Sequence, residues 1–345
     1  RSLHSAGAGV ILHCYTHKRP PARDLEDICR EVHYYPRRTG LAVNLGLMPY
    51  IVAGRMADDL SARLSGDRHP VIFEGLHTCG ILDHPALAGR KLVYRESNIE
   101  HQYYRHLASA ERNPLRKIHF LAESARLYRF QKVLKHASLM LAVSQDDTRY
   151  LASTFPGQQV LYMPSFHGDE EVRSIAGRGT YALYQGKLSV PENSRAAAWL
   201  IREVWNAEMP ELVIAGSEPP GWLGKMVAGR RNVRLISNPS GEAMETLIRE
   251  AHLNLLVTFQ PTGLKLKLLN ALFNGRHCLV NPAMVAGTSL AGLCTVAHGS
   301  QALRDAALEL FTQEFGYSMA EDRKRRMPAE YSNIKNCTTL VNLLT

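Results

Sequence analysis

Two lysines at the start of a predicted helix are the side chains of this sequence best placed to bind an anion. Residues 262–270 read Thr-Gly-Leu-Lys-Leu-Lys-Leu-Leu-Asn, which predicts a turn at Gly263 and a helix with Lys265 and Lys267 in its first turns. The free backbone N–H groups and the positive end of a helix attract anions, and the two ammonium groups add to that attraction. The pattern therefore indicates a phosphate site.

The same helix has a polar side and an apolar side. At about 100° per residue, Lys267, Asn270 and Asn274 share one side. The other side carries apolar residues: Leu264, Leu268, Ala271 and Leu272. Such a stripe on a buried helix favours a polar ligand, although a helix whose lysines extend into solvent shows the same pattern.

Composition limits the choice of partners. The chain has 345 residues, of which 45% are apolar and 21% charged, so we expect a large core and two domains. The net charge of +9 suits an acidic small molecule, an anionic membrane surface or nucleic acid. Because the basic residues are scattered without interleaved aromatics, we expect no nucleic-acid partner. The one basic run, residues 323–326, predicts a solvated helix face.

Cysteine usage and hydropathy bear on localisation. The six cysteines form no CxxC pair and show no metal-ligand spacing, which predicts reduced thiols, a cytoplasmic protein and no metal site. No stretch reaches the roughly 20 apolar residues of a membrane span. Residues 41–53 are uncharged and flanked by Arg37, Arg38 and Arg55, so they predict either a core helix or a peripheral contact with the inner face of the membrane.

The second half of the sequence predicts a parallel sheet. Strand-like runs alternate with helical segments at residues 181–185, 212–215, 233–236, 253–257 and 278–280. This alternation is typical of βαβ units, in which ligands bind at the carboxyl ends of the strands. Gly186, Gly216 and the turn at residues 261–263 each follow a strand end, so we expect them to converge.

A second candidate phosphate contact follows the first of these strands. Ser189 and Glu192 have the spacing of a capping box, and Pro191 is tolerated in a first helical turn, so a helix should begin here. Gly186 lets the backbone approach a ligand closely, and Lys187 adds a point charge beside it. A plain loop between a strand and a helix has the same pattern.

The first half is also α/β, with less regular spacing. Strand-like runs occur at residues 10–15, 71–75, 91–95 and 139–144. Residues 115–136 predict one long amphipathic helix. The glycines and charges of residues 164–179 predict a linker.

We therefore expect an N-terminal domain over residues 1–168 and a second domain over residues 169–330. Residues 331–345 have helical spacing and are expected to return to the first domain. Because Arg1 stands close to the first strand-like run, we also expect that an N-terminal segment with a first strand is missing.

These motifs together resemble the glycosyltransferase family 4 enzymes of GT-B fold, particularly the bacterial members that build surface polysaccharides. The resemblance covers nearly the whole chain and rests on residues 73–77, 95–104, 142–144, 185–188, 214–217 and 263–269. It implies two Rossmann-like α/β/α domains facing each other across a cleft. It also implies transfer of a hexose, with retention of configuration, from a UDP- or GDP-linked sugar to a glycan or lipid-linked acceptor, without a metal or other cofactor.

The resemblance assigns the donor contacts to the second domain. Gly186 and Lys187 match the family's glycine and basic residue at the donor diphosphate. Four further residues match its phosphate-cradling loop: Thr262, Gly263, Leu264 and Lys265. Lys267 extends this set along the helix. Because the family's acceptor is thought to attack from the side of the leaving group, a glycosidase-like pair of carboxylates is not required.

The sequence departs from the family pattern at several positions. Thr262 and Asn270 stand where the family commonly has glutamates, the second of which binds the ribose, and Asn193 replaces a second basic residue. Ser97 occupies the position of a histidine that contacts the donor sugar. Either His77 or His101 takes over that role, or the sugar site is altered; each histidine could also serve only a buried backbone group.

The acceptor is assigned to the first domain. Arg95, Asn98 and Glu100 crowd a strand end, where a polar trio is typical of a binding surface. Glu74 could direct an acceptor hydroxyl or only cap the next helix. Two alternative functions stay open: a degenerate or epimerase-like GT-B protein that binds sugar nucleotides, and a membrane-surface scaffold that uses residues 41–53.

Overall fold

The computed structural model describes residues 1–17, 20–44, 46–111, 113–260 and 266–345. It divides into two compact units, which we call unit 1 and unit 2. Unit 1 consists of Arg1–Ser165 with Ser332–Thr345, and unit 2 of Phe166–Tyr331. The division at residue 165 lies inside the segment predicted as a linker. Each unit has its own parallel β-structure and its own apolar core.

Unit 1 contains two parallel sheets. The first pairs β1 (Ile11–Thr16) with β2 (Glu31–Pro36). The second has the order β3 (Val71–Glu74), β4 (Leu92–Arg95), β5 (Leu139–Ala142) and β6 (Gln159–Tyr162). The strands predicted at residues 10–15, 71–75, 91–95 and 139–144 are confirmed, whereas β2 and β6 were not predicted.

The helices of unit 1 vary in length. They are α1 (Ser2–Ser5), α2 (Arg23–Glu26), α3 (Leu41–Asn44), α4 (Tyr50–Ala53), α5 (Leu60–Leu64), α6 (Glu100–Ala110), α7 (Pro114–Phe130) and α8 (Gln145–Thr154). The long α7 starts where the Asn113 side chain accepts hydrogen bonds from the next two free N–H groups of the helix. The predicted single helix over residues 115–136 ends earlier, because Gln131–His136 tighten into a 3₁₀ helix.

The prediction of one core helix over residues 41–53 is wrong. The short helices α3 and α4 occupy its ends, and Pro49 precedes α4 with extended backbone. A proline disfavours helical backbone at the residue before it, which explains the interruption. Val52 is fully buried while Leu47 is 95% exposed. Among the described residues, no helix has both the length and the apolar character needed to cross a bilayer.

Unit 2 is built on a six-stranded parallel sheet. Its strands are β7 (Tyr181–Gln185), β8 (Glu211–Gly216), β9 (Val233–Ser237), β10 (Leu253–Leu256), β11 (His277–Val280) and β12 (Thr295–Val296), in the spatial order β12-β11-β10-β7-β8-β9. All five strands predicted for this half are confirmed. The two-residue edge strand β12 is too short to leave a periodic signal.

Helices cover the sheet of unit 2 and complete its core. They are α9 (Pro191–Trp199), which continues as a π-helical turn over Leu200–Val204, then α10 (Gly221–Ala228), α11 (Gly241–Glu250), α12 (Leu266–Asn274), α13 (Pro282–Val285), α14 (Gly299–Thr312) and α15 (Tyr317–Arg326). The last helix of the chain, α16 (Asn333–Leu344), belongs to unit 1 and contacts α1.

Two local predictions for unit 2 need correction. The capping box of Ser189 and Glu192 is absent: Ser189 Oγ donates to Glu218 Oε2 at 2.8 Å, and α9 begins at Pro191 without a side-chain cap. The basic run at residues 323–326 is not uniformly solvated. Arg323 is buried, and its guanidinium donates to the carbonyls of Gly275 and Arg276. It thereby satisfies carbonyls at the end of α12.

Unit 2 contains a buried histidine with a lowered pKa. His277 opens β11, lies 5.0 Å from the ring of His252, and contacts the carbonyl oxygen of Gln313 at 3.3 Å. Burial, and then repulsion from His252, lowers the pKa of His277 from 6.5 to about 4. The folded unit therefore holds a neutral imidazole that the unfolded chain protonates more readily.

We predict that the stability of unit 2 is fully present above about pH 6.5 and falls as the pH drops toward about 4. His277→Gln should flatten this dependence, whereas the same change at the exposed His4 should leave it intact. The measurement is urea unfolding at several pH values, followed by tryptophan fluorescence, because Trp199, Trp205 and Trp222 all lie in unit 2. Equal pH dependence in wild type and His277→Gln would contradict the prediction.

Candidate functional site

The turns after β7 and β8 touch each other. Gly186 N donates to Ala215 O at 3.1 Å, and Leu188 N donates to Ser217 O at 2.9 Å. A Cβ atom built on Gly216 would lie 1.8 Å from the carbonyl oxygen of Gly186, so no other residue fits at Gly216 without moving the backbone. The predicted convergence of these two strand ends is therefore confirmed, whereas the turn at residues 261–263 lies outside the described residues.

Asn193 connects the Gly186 turn to helix α12. Its Nδ2 donates to the carbonyl oxygen of Lys187 at 3.0 Å, and its Oδ1 accepts from Lys267 Nζ at 3.4 Å. The Lys267 ammonium also lies 5.1 Å from the centroid of the Tyr184 ring, within the range of a cation–π interaction. We call Gly186, Lys187, Asn193 and Lys267 the strand-end cluster.

Two lysines give the strand-end cluster its positive charge. The side chain of Lys187 is 52% exposed, and its Nζ lies 3.6 Å from Glu218 Oε2. An ion pair this exposed is weak, so an incoming anion can replace the carboxylate. Lys267 is held more firmly, because it contacts both Asn193 and the buried Tyr184.

The polar stripe of α12 is present as predicted. Leu268, Ala271 and Leu272 are fully buried on one side of the helix. On the other side, Asn274 Nδ2 donates to Asn270 Oδ1 at 3.0 Å and to Asp169 Oδ1 at 2.8 Å. The predicted apolar neighbour Leu264 lies outside the described residues.

Asn270 also lines a pocket of about 160 Å³. The other lining residues are His167, Gly168, Asp169, Glu245 and Leu266. The two carboxylates of this pocket were not found by sequence reasoning, because Asp169 belongs to an irregular segment and Glu245 has an ordinary position on an amphipathic helix. The pocket can accept hydrogen bonds from hydroxyl groups.

The predicted phosphate-cradling loop cannot be placed. Thr262, Gly263, Leu264 and Lys265 lie outside the described residues. The segment that leads into this loop is described, and it is polar. Thr258 follows β10 and is buried; its hydroxyl donates to a carboxylate oxygen of Glu192, and its N–H donates to Asn281 Oδ1 at 3.1 Å.

This contact gives Glu192 a different role from the predicted cap. It links Thr258, directly after β10, to the first turn of α9. In the sequence, only the position of Thr258 directly after a predicted strand pointed to a role for this residue.

In unit 1, the turn after β3 brings His77 to Glu100. Gly75 has a φ of +79°, and a Cβ atom there would lie 2.6 Å from the His77 ring and 3.4 Å from Ser97 Oγ. Glycine is therefore required at this turn. His77 Nδ1 lies 3.6 Å from Glu100 Oε1, which is longer than a hydrogen bond, so the carboxylate lies near the imidazole.

The structure distinguishes between His77 and His101, the two candidates for the contact with the donor sugar. The ring of His101 packs against Tyr128 at 5.2 Å and Tyr150 at 5.7 Å, and burial lowers its pKa. His101 is thus part of an aromatic contact, whereas His77 and Ser97 lie together at the Gly75 turn.

The remaining acceptor candidates cluster at the ends of β3 and β4. Arg95 Nη1 donates to Glu74 Oε2 at 2.6 Å, so the Glu74 side chain caps no helix. Asn98 is partly exposed in the turn between β4 and α6. Glu96 lies beneath this surface and was not predicted: it is fully buried, and burial followed by repulsion from Asp147 raises its pKa. A neutral carboxyl group is therefore expected there.

Comparison with known proteins gives a match at the level of structure. A scan against models of protein families finds no match. A search of curated protein sequences finds none either. Among solved structures, the fold is similar to that of an alpha,alpha-trehalose-phosphate synthase (UDP-forming) from Burkholderia vietnamiensis, with a TM-score of 0.63 and 9% identity over 98% of this chain and 99% of that chain.

Two other solved structures show the same fold. A mutant of S. aureus TarM, in complex with Fondaparinux, alpha-GlcNAc-glycerol and UDP, has a TM-score of 0.60 and 11% identity over 79% of this chain. The match spans 55% of the length of that TarM chain. The glycotransferase of kitacinnamycin has a TM-score of 0.56 and 14% identity over 100% of this chain and 94% of that chain.

These identities are low, so the comparisons show the fold. The chain has the α/β GT-B fold with two Rossmann-like domains, as the sequence predicted.

We predict that Gly216→Ala lowers the free energy of unfolding of unit 2 by about 1–3 kcal/mol, since the added Cβ meets a backbone oxygen and one of the two turns must move. Gly221→Ala is the matched control in the same loop-to-helix segment, because a Cβ there has no neighbour within 4 Å. Urea unfolding followed by tryptophan fluorescence compares the two variants. Equal free energies of unfolding for the two variants would show that the close contact between the turns after β7 and β8 does not stabilise unit 2.

Proposed function

We propose that this protein is a glycosyltransferase that moves a hexose from a nucleoside diphosphate sugar to a glycan or lipid-linked acceptor, with retention of configuration. The observation that carries the proposal is the strand-end cluster, in which Lys267 is fixed beside the Gly186–Lys187 turn at the carboxyl ends of the strands. In parallel α/β sheets this edge is where ligands bind. The GT-B fold of the chain supports the same assignment.

The cluster suits the chemistry of a leaving diphosphate. As the glycosidic bond breaks, negative charge develops on the diphosphate. Fixed ammonium groups and backbone N–H groups stabilise that charge in the transition state without reorganising. Lys187 and Lys267 supply the positive charge, and the undescribed residues 262–265 are proposed to supply N–H groups and Lys265. We therefore propose transfer without a bound metal.

The pocket beside Asn270 is proposed to hold the nucleoside. Asn270 can donate to and accept from a ribose hydroxyl, but a neutral amide binds it less strongly than a carboxylate does. Asp169 and Glu245 line the same pocket and provide carboxylates at this place. We propose that they replace the glutamate that the resembling family has at the position of Asn270.

Unit 1 is proposed to hold the acceptor and the donor sugar. His77 is favoured over His101 for the contact with the sugar, because His77 lies at the Gly75 turn near Ser97, while His101 is packed against aromatic rings. Ser97 lies beside His77 and can add a hydroxyl. Arg95, Asn98 and Glu74 form the polar surface around them. We further propose that the protein works in the cytoplasm, where its free cysteines stay reduced.

The proposal is tested by measuring nucleotide release. Incubation with UDP-glucose, UDP-N-acetylglucosamine and GDP-mannose should liberate free UDP or GDP slowly, because water replaces the missing acceptor. Lys187→Ala and Lys267→Ala should each reduce the rate by about tenfold or more, as expected for the loss of one charge-assisted contact. Lys225→Ala, on the exposed side of α10, is the matched control and should release nucleotide at the wild-type rate.

Two results would argue against the proposal. Equal rates in all four proteins would remove the strand-end cluster from the donor site. Nucleotide binding without any release would favour an epimerase-like or degenerate GT-B protein.

A further inference from the structure

Helix α7 exposes an unusual amount of apolar surface. Four large hydrophobic side chains point outward from this helix: Leu115 is 78% exposed, Ile118 63%, Leu121 47% and Tyr128 57%. Ala122 and Ala125 lie among them and are also exposed. Single exposed apolar side chains are common on protein surfaces. A contiguous group of them on one element indicates a surface that binds another molecule or a membrane.

These six side chains share one face of the helix. At about 100° per residue, they fall within an arc of about 140° and extend over about 20 Å of helix length. The opposite face holds the helix in unit 1, because Glu123 and Leu127 are fully buried there. We call the outward face, from Leu115 to Tyr128, the α7 surface.

The residues around the α7 surface carry positive charge. Three exposed basic side chains lie on or beside this face of the helix or directly after it: Lys117, Arg129 and Lys132. Glu123 is the single acidic residue in the sequence of α7, and it is turned inward. It accepts from Tyr50 N at 2.7 Å and from Arg126 Nη1 at 2.6 Å. The rim contributed by α7 is therefore basic.

We propose that the α7 surface docks on an anionic lipid bilayer. A helix that lies in the membrane interface needs an apolar face flanked by basic side chains, and α7 has both. Tyr128 suits this boundary, since its ring is apolar and its hydroxyl is polar. The net charge of +9 attracts the whole protein toward an anionic surface.

Charge argues against a second copy of the chain as the occupant. A symmetric pair of α7 surfaces would bring two basic rims together, and like charges across an interface are unfavourable. The proposal also differs from the membrane contact predicted for residues 41–53, which form two short helices. It does not depend on the proposed activity, because docking requires neither donor nor acceptor.

Co-sedimentation with vesicles tests the proposal without nucleotide. The probes are vesicles of phosphatidylcholine alone and of phosphatidylcholine mixed with phosphatidylglycerol. The wild-type chain should bind the mixed vesicles at about 50 mM salt and less at about 500 mM salt, where charges are screened. Ile118→Glu/Leu121→Glu should weaken this binding by about tenfold or more, because it removes two apolar anchors.

Two control variants separate the α7 surface from other exposed apolar residues. Leu308→Glu, on α14 in unit 2, and Leu47→Glu, between α3 and α4, should both bind as wild type does. If the double variant unfolds, Lys117→Gln/Arg129→Gln carries the test, and it should also lower binding to mixed vesicles.

Several results would overturn the proposal. Docking through α7 would be excluded if the wild-type chain did not bind the mixed vesicles, or if the double variant bound them as well as the wild type does. Loss of binding in Leu47→Glu alone would assign the contact to residues 41–53. Light scattering that shows a wild-type dimer and a monomeric double variant would assign the α7 surface to self-association.

Discussion

The proposed chemistry of unit 2 depends on the position of one ammonium group. Lys267 would be mobile at the start of α12, but it is fixed by the carbonyl group of the Asn193 side chain and by the face of Tyr184. Asn193 in turn holds the carbonyl of Lys187, so one side chain sets the distance between the turn after β7 and the start of α12. Because electrostatic stabilisation works only when the charges are already in place, this constraint matters more than the number of basic residues.

Polar groups from other elements lie near the positions where the sequence departs from the pattern of the family it resembles. Asn193 stands where a basic residue was expected, and it positions a lysine from another helix. Asn270 stands where a carboxylate was expected, and Asp169 and Glu245 line the same pocket. In unit 1, the imidazole of His77 lies near Glu100 and Ser97. We therefore propose that groups from other elements take over at the positions where the sequence departs from that pattern.

Sequence patterns predicted the elements of this fold better than their side-chain contacts. The strands of unit 2 are buried apolar runs, and the stripe of α12 follows from helical periodicity, so both could be predicted. The capping box of Ser189 and Glu192 failed because each side chain has a partner distant in sequence, Glu218 and Thr258. Arg323 was misjudged for the same reason, since the carbonyls that it satisfies belong to α12 and the residues after it. Contacts of this kind depend on the packed fold and leave no local signal.

The central claim is that a diphosphate binds where Lys187 and Lys267 meet. The most direct measurement is a crystal structure of the protein with UDP. We predict density for the diphosphate within contact of both ammonium groups, with the ribose beside Asn270 and Asp169. A nucleotide bound elsewhere on the chain, or a strand-end cluster closed to it at saturating UDP, would contradict the claim.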